Sequence, residues 1–74
     1  MKVYIVQSGT YDDSEILKVT TNKESACEFA KSQGKEIEFC YGQEHTNNQI
    51  MRVRFKDDEM TDYVVEEYEL EENK

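Results

Sequence analysis

The residues able to do nucleophilic or acid–base chemistry are few: His45, which is the single histidine, and two cysteines, Cys27 and Cys40. A thiol–imidazole pair works only when both groups are within hydrogen-bond reach and a third group orients the ring. Cys40 and His45 are near each other along the chain, but that nearness fixes no geometry. A solvated loop histidine and two inert, half-buried thiols are the simpler reading. Carboxylates are plentiful, yet acid–base work needs one of them desolvated so that its pKa rises, and a run of surface acids does not provide this. Ser8-Gly9-Thr10 lacks the glycine spacing and the lysine of a phosphate-binding loop. Two cysteines and one histidine at these positions do not make a zinc spacing. Asp57-Asp58-Glu59 with Asp62 would attract calcium or magnesium weakly, without the glycine and spacing of a dedicated loop. The expectation is a non-enzyme with no cofactor and no metal site.

Charge is the more informative property. Residues 1–56 hold eight acids and eight bases and so balance. The net charge of −8 therefore lies wholly in the last 18 residues, which carry Asp57, Asp58, Glu59, Asp62, Glu66, Glu67, Glu69, Glu71 and Glu72 against Lys74. These nine acids are the candidate partner-binding residues. A phosphate backbone or an anionic membrane would be repelled by that end, so a basic protein is the partner it suits. Residues two apart on a strand are separated by roughly 6.6 Å, the order of phosphate spacing along a nucleic-acid strand. A row such as Glu67, Glu69, Glu71 would thus imitate a phosphate backbone to a protein with a basic groove. The competing reading is an acidic strand that serves solubility or guards a sheet edge.

Arg52, Arg54 and Lys56 fall on one face of one strand. They form either a small anion-binding strip or, more simply, a ladder with Glu36 and Glu38 on one side and Glu67, Glu69 and Glu71 on the other.

The elements that must position these groups are legible from periodicity. Lys2–Gln7 is apolar on both faces, as in a central strand covered on both sides. Glu15–Thr20 reads as a second strand, joined to the first by a hairpin over Ser8–Ser14. Thr21-Asn22-Lys23-Glu24 fits a capping box, with Asn22 as the alternative cap. Ala26, Phe29, Ala30 and Gln33 then give one helical face, and Gly34 supplies a left-handed stop. Glu36–Tyr41 alternates with Ile37, Phe39 and Tyr41 inward, and Ile50–Lys56 with Met51, Val53 and Phe55 against the basic row. Asp57–Thr61 reads as an acidic turn and Tyr63–Glu71 as the last strand, with 71–74 a frayed acidic tail. The fold expected is α+β: a single two-layer domain over 1–74, ββαβββ, mostly antiparallel, with one helix packed on one face through Ala26, Phe29 and Ala30. The expected core is Val3, Ile5, Leu17, Val19, Phe29, Ile37, Phe39, Val53, Phe55, Val64 and Leu70. A chain of 74 residues buries only roughly 60% of its unfolded surface, so dimerisation is a natural supplement to the core.

Lys2-Val3-Tyr4-Ile5-Val6, the strand Ile16–Val19, Thr21-Asn22-Lys23-Glu24-Ser25-Ala26 and Glu66-Glu67-Tyr68-Glu69-Leu70-Glu71 together resemble a family of short bacterial and phage proteins of unknown function. That family opens on a VYIV-like strand, passes through an acidic turn and a capped helix, and closes on an EEYELDE-like strand. The resemblance covers roughly half the chain and carries no catalytic residue with it. It implies a bacterial or phage origin, and Ile37–Lys56, its poorly matched stretch, is a candidate for a partner-specific surface.

The function expected is a small acidic interaction protein that binds a basic, nucleic-acid-binding surface of a host or phage protein. Encoded by a phage, it would be an inhibitor or modulator of a host protein, with counter-defence one form of that role. A cytoplasmic setting, host cytoplasm for a phage protein, is expected from the reduced thiols and the lack of any long apolar run. Neither direct nucleic-acid binding nor membrane binding is expected. The alternatives are a nucleotide or metabolite binder, with a pocket beneath the Gly42–Gln49 loop or at a dimer interface lined by Tyr4, Tyr11, Tyr41 and Tyr63, and a homodimeric accessory domain without a ligand.

Overall fold

The computed structural model describes residues 1–9, 14–42 and 48–71. Its elements run β1 (Lys2–Gly9), β2 (Ser14–Thr20), α1 (Lys23–Lys31), β3 (Ile37–Tyr41), β4 (Gln49–Phe55) and β5 (Asp58–Glu69). The five strands form one antiparallel sheet in the order β2-β1-β5-β4-β3. The ββαβββ order, the first hairpin and the closing meander are as periodicity predicts, and the chain is a single α+β domain.

The last strand is the middle one. β5 pairs with β1 in an unbroken register from Lys2 opposite Glu69 to Gly9 opposite Asp62. The ladder extends one step further, where Leu70 N–H donates to the Met1 carbonyl at 2.7 Å. On its other side β5 pairs with β4, and there the register is broken. Phe55 lies opposite Asp58 across the two-residue turn Lys56-Asp57, but Arg54 lies opposite Asp62. The residues between Asp58 and Asp62 are therefore extra on the β5 side, a bulge that re-aims the rest of the strand. The stretch after Asp57 is thus strand, and the turn is shorter than the one read from its acids.

α1 begins at Asn22, whose Oδ1 accepts the Ser25 N–H at 3.1 Å. Of the two caps the sequence allows, Asn22 is the one used. The helix closes at Ser32, whose N–H donates to the carbonyls of Glu28 and Phe29 and whose hydroxyl donates to Phe29 O at 2.8 Å. Gly34 does not adopt a left-handed conformation. Its reason for being glycine is space, since a Cβ there would overlap the Phe55 ring. Among the described residues the left-handed one is Asn48 (φ 57°), at the entrance to β4, a conformation asparagine tolerates well.

The helix covers one face of the sheet. Buried beneath it are Tyr4, Val6, Met51, Val53, Phe55 and Val65, met from above by Ala26 and Ala30. Cys27, Phe29, Ile50 and Tyr63 pack around them half-buried, and the Lys18 ammonium lies 5.2 Å from the centre of the Phe29 ring. Fully burying a side chain such as Phe55 or Val53 contributes about 1.5–3 kcal/mol, and this small cluster is the whole core among the described residues.

Several expected core positions are corrected. Tyr4 and Val6, not Val3 and Ile5, face the helix, and Val65 takes the place expected of Val64. In β1 both rows are apolar, and Val64 and Val65 are adjacent valines, so alternation could not choose the face. Val19 is 60% exposed and Ile37 38% exposed, because β2 and β3 are the outer strands. Leu70 lies past the end of β5 and is exposed. Phe39 and Leu17 are half-buried rather than buried. β1 is an inner strand, as expected, but the helix covers it on one side only.

Candidate interaction surface

The face turned away from α1 carries the polar chemistry. Following the registers across it, Ile5 of β1 lies between Val19 and Glu66, Gln7 between Ile16 and Val64, and Gly9 between Ser14 and Asp62. Further along, Val64 faces Arg52 and Asp62 faces Arg54, while on β3 Tyr41 and Phe39 stand opposite Arg52 and Arg54. The β2–β1 side of this face is thus mostly apolar, and the β5–β4 side is charged.

Asp62 is the hub of the charged side. Arg54 Nε donates to its Oδ1 at 2.7 Å and Arg54 Nη2 to its Oδ2 at 3.2 Å, while Arg52 Nη1 donates to Oδ2 at 2.7 Å. Arg52 Nη2 also reaches Gln49 Oε1 at 3.3 Å, and Arg52 Nε is shut off from water with no partner. Burial works against ionisation of Asp62, but the hydrogen bonds from Arg54 and Arg52 outweigh it and hold the carboxyl below its usual range. The same bond to Asp62 raises Arg54 above its ordinary value. The guanidinium of Arg54 lies 5.1 Å from the Phe39 ring centre, and Phe39 stacks on Tyr41 at 5.3 Å. Beside this cluster Gln7 Nε2 donates to Glu66 Oε1. A hollow of about 540 Å³ opens here, lined in part by Gln7, Gly9, Ser14, Met60, Arg52 and Glu66.

The basic row pairs differently from the ladder predicted. Lys56 does meet Glu36, at 2.9 Å. Arg52 and Arg54 instead share Asp62, since the bulge before Asp62 slides β5 along β4. Glu67 and Glu69 lie toward the other end of β5 and bind the start of the chain. Glu67 is 3.4 Å from Lys2 Nζ, and Glu69 is 3.5 Å from the terminal amine of Met1. Glu67 also bonds the Tyr4 hydroxyl, which burial, foremost, and this contact raise above its ordinary pKa.

The nine acids are accordingly not one row. Asp62 and Glu66 belong to the open face, whereas Glu67 sits across from Tyr4 on the helix side. Asp57 stands exposed in the β4–β5 turn with Asp58 beside it, and Glu71 stands exposed past the opposite end of β5. The side chain of Glu59 and the whole of Glu72 lie outside the described residues. A 12-residue strand spans about 40 Å, so the two acidic ends are far apart.

The nucleophile candidates find no active arrangement among the described residues. Burial raises the Cys27 thiol above its ordinary value, which leaves it protonated and unreactive at neutral pH, and both cysteines are free. His45 and Tyr11 lie outside the described residues. Tyr4 and Tyr63 are on the helix side and Tyr41 on the open face, so these tyrosines do not line a common pocket. Among the described residues no three His, Cys, Asp or Glu side chains gather to hold a metal ion, and no helix is long and apolar enough to cross a membrane.

Sequence reasoning missed Asp62 as the shared acceptor and counted it among the candidate partner-binding acids. Two arginines at alternate positions signal a common partner, but the bulge that supplies it has no sequence mark. No curated protein and no solved structure matches the chain. A family model does match, over residues 1–74, and the chain belongs to that family, the Domain of unknown function (DUF7336).

Proposed function

We propose that this chain is a small non-catalytic interaction domain that binds a basic protein surface of the kind that otherwise holds nucleic acid. One observation carries the reading: the acidic strand is the central strand of the sheet, not an edge. Edge protection, the usual structural reason for charging a strand, does not apply to β5. Of its inner acids, Asp62 is consumed by Arg52 and Arg54, Glu67 by Lys2 and Glu69 by the terminal amine, while Glu66 accepts from Gln7. Asp57, Asp58 and Glu71, by contrast, have no cation within bridging distance among the described residues. The net charge of −8 steers a cationic partner from a distance, and such attraction is screened by salt. Encoded by a phage, the domain would inhibit or modulate a host protein by occupying its nucleic-acid groove, with the host cytoplasm as its place of action.

The test is affinity capture from a bacterial lysate with wild-type chain and with a D57N/D58N/E71Q variant. Wild type retains a basic protein that duplex DNA displaces, and the variant does not. Equal retention by both, or an empty capture, overturns the proposal.

A second reading is favoured by the hollow on the open face, whose volume falls within the range of small-molecule sites. A nucleotide or metabolite bound there would raise the melting temperature of wild type but not of an R52M/R54M variant. A flat thermal-shift screen would dismiss it.

A further inference from the structure

We infer that the open face of the sheet is the interface of a homodimer, two copies packing sheet against sheet about a two-fold axis. The first ground is what the face exposes. Ile16 and Val19 are each 60% exposed and Tyr68 36% exposed, with Val3, Ile5 and Val64 half-buried beside them, and all six lie on the side away from α1. A contiguous apolar patch of this kind marks a contact surface.

The second ground is charge. Each charged residue that the strand registers place on this face, among the described residues, has a partner within the same chain: Arg52 and Arg54 hold Asp62, and Gln7 holds Glu66. Among the described residues that the strand registers place on this face, two arginines stand against two acids and sum to no net charge, although the chain as a whole carries −8. A basic partner would meet Arg52 and Arg54, and an acidic one would meet Glu66. A second copy of the same neutral, mixed surface meets neither penalty, because its ionic groups are equally satisfied at home. Closing the face also asks nothing more of Arg52 Nε, which has already lost contact with water.

The third ground is size. Five strands about 4.8 Å apart, from five (β3) to twelve (β5) residues long and averaging about eight at about 3.3 Å per residue, present a footprint of about 600 Å² before side-chain relief is counted. That approaches the roughly 800 Å² per partner of a stable protein–protein contact. Facing sheets stack about 10 Å apart, which would give this small domain the second apolar layer its one helix does not supply.

The dimer and the acidic docking reading respond to salt in opposite directions. Two chains of charge −8 repel at long range, so screening strengthens their association, whereas it weakens binding to a cationic partner. The experiment is light scattering on the full chain over a range of concentrations, at low and at high salt. The expected result is twice the monomer mass, with the monomer–dimer midpoint moving to lower concentration as salt is added. An I16E/V19E variant should be monomeric throughout, with an unchanged far-ultraviolet circular dichroism spectrum, since both side chains are more than half exposed in the single chain. An E24K variant, altered on the exposed side of α1, should dimerise more readily through its lower charge. A wild-type monomer under all conditions overturns the inference and assigns the face to a different protein or to a small ligand in the hollow. A folded I16E/V19E that still dimerises overturns it as well.

Discussion

Arg54 and Asp62 meet through a two-point contact, Nε to Oδ1 at 2.7 Å and Nη2 to Oδ2 at 3.2 Å, across the irregular end of the β4–β5 pair. Two parallel N–H···O bonds add orientation to attraction. Because Arg52 binds the same carboxylate, this contact fixes β4 against β5 on the side the helix does not cover. Asp62→Ala would leave two guanidinium groups facing each other with no anion between them. The expected cost is about 2 kcal/mol, read as a lowered denaturant midpoint. R52M/D62L/R54M, which removes all three charges together, should cost clearly less.

The same carboxylate sets the acid limit of stability. Its pKa is depressed in the folded chain, so its contribution is fully present above its unfolded value of about 3.9 and fades as pH falls through the lower folded value. Thermal melts taken stepwise below about pH 4 should show a falling midpoint, and the fall should be shallower in D62N. At the alkaline end, burial raises Tyr4 and Tyr63. Their contribution is intact below about pH 10 and is lost as pH rises through the folded values.

Helix capping separates two adjacent residues. Asn22 Oδ1 accepts from Ser25 N–H, so Asn22→Ala should cost about 1 kcal/mol. Thr21→Ala should stay within about 0.5 kcal/mol, as for an ordinary surface change. Chemical denaturation of the two variants side by side checks the assignment.

Gly34→Ala tests the close approach of the chain to Phe55. The added methyl group would overlap the ring, and Phe55 is fully buried, so the ring has little room to withdraw. A loss of about 1–3 kcal/mol is expected, the range for overpacking a filled core. F55L should recover part of it in the double variant by making room.

Local patterns constrain some elements of this chain far more than others. The helix was legible because Ala26, Phe29 and Ala30 repeat with a single period, and β4 because Met51, Val53 and Phe55 alternate with charges. β1 and β5 were legible as strands but not as faces. Tyr4-Ile5-Val6 and Val64-Val65 are apolar at consecutive positions, and a one-residue choice inverts every side chain. Which face α1 covers is decided by packing of the whole layer. Strand order was withheld too: nothing local says that β5 enters between β1 and β4. That entry moves Glu67 and Glu69 from the arginines to Lys2 and the terminal amine. The bulge before Asp62 is the feature that assembles the arginine pair around one acid, and neither glycine nor proline announces it.

The most direct test of the interaction role is the salt dependence of affinity for the basic protein retained in the capture experiment, measured by titration calorimetry. Affinity is expected to fall steeply as salt rises, and saturating the partner with duplex DNA should abolish binding. Affinity indifferent to salt, or binding that persists on the DNA-saturated partner, would contradict an acidic domain that occupies a nucleic-acid groove.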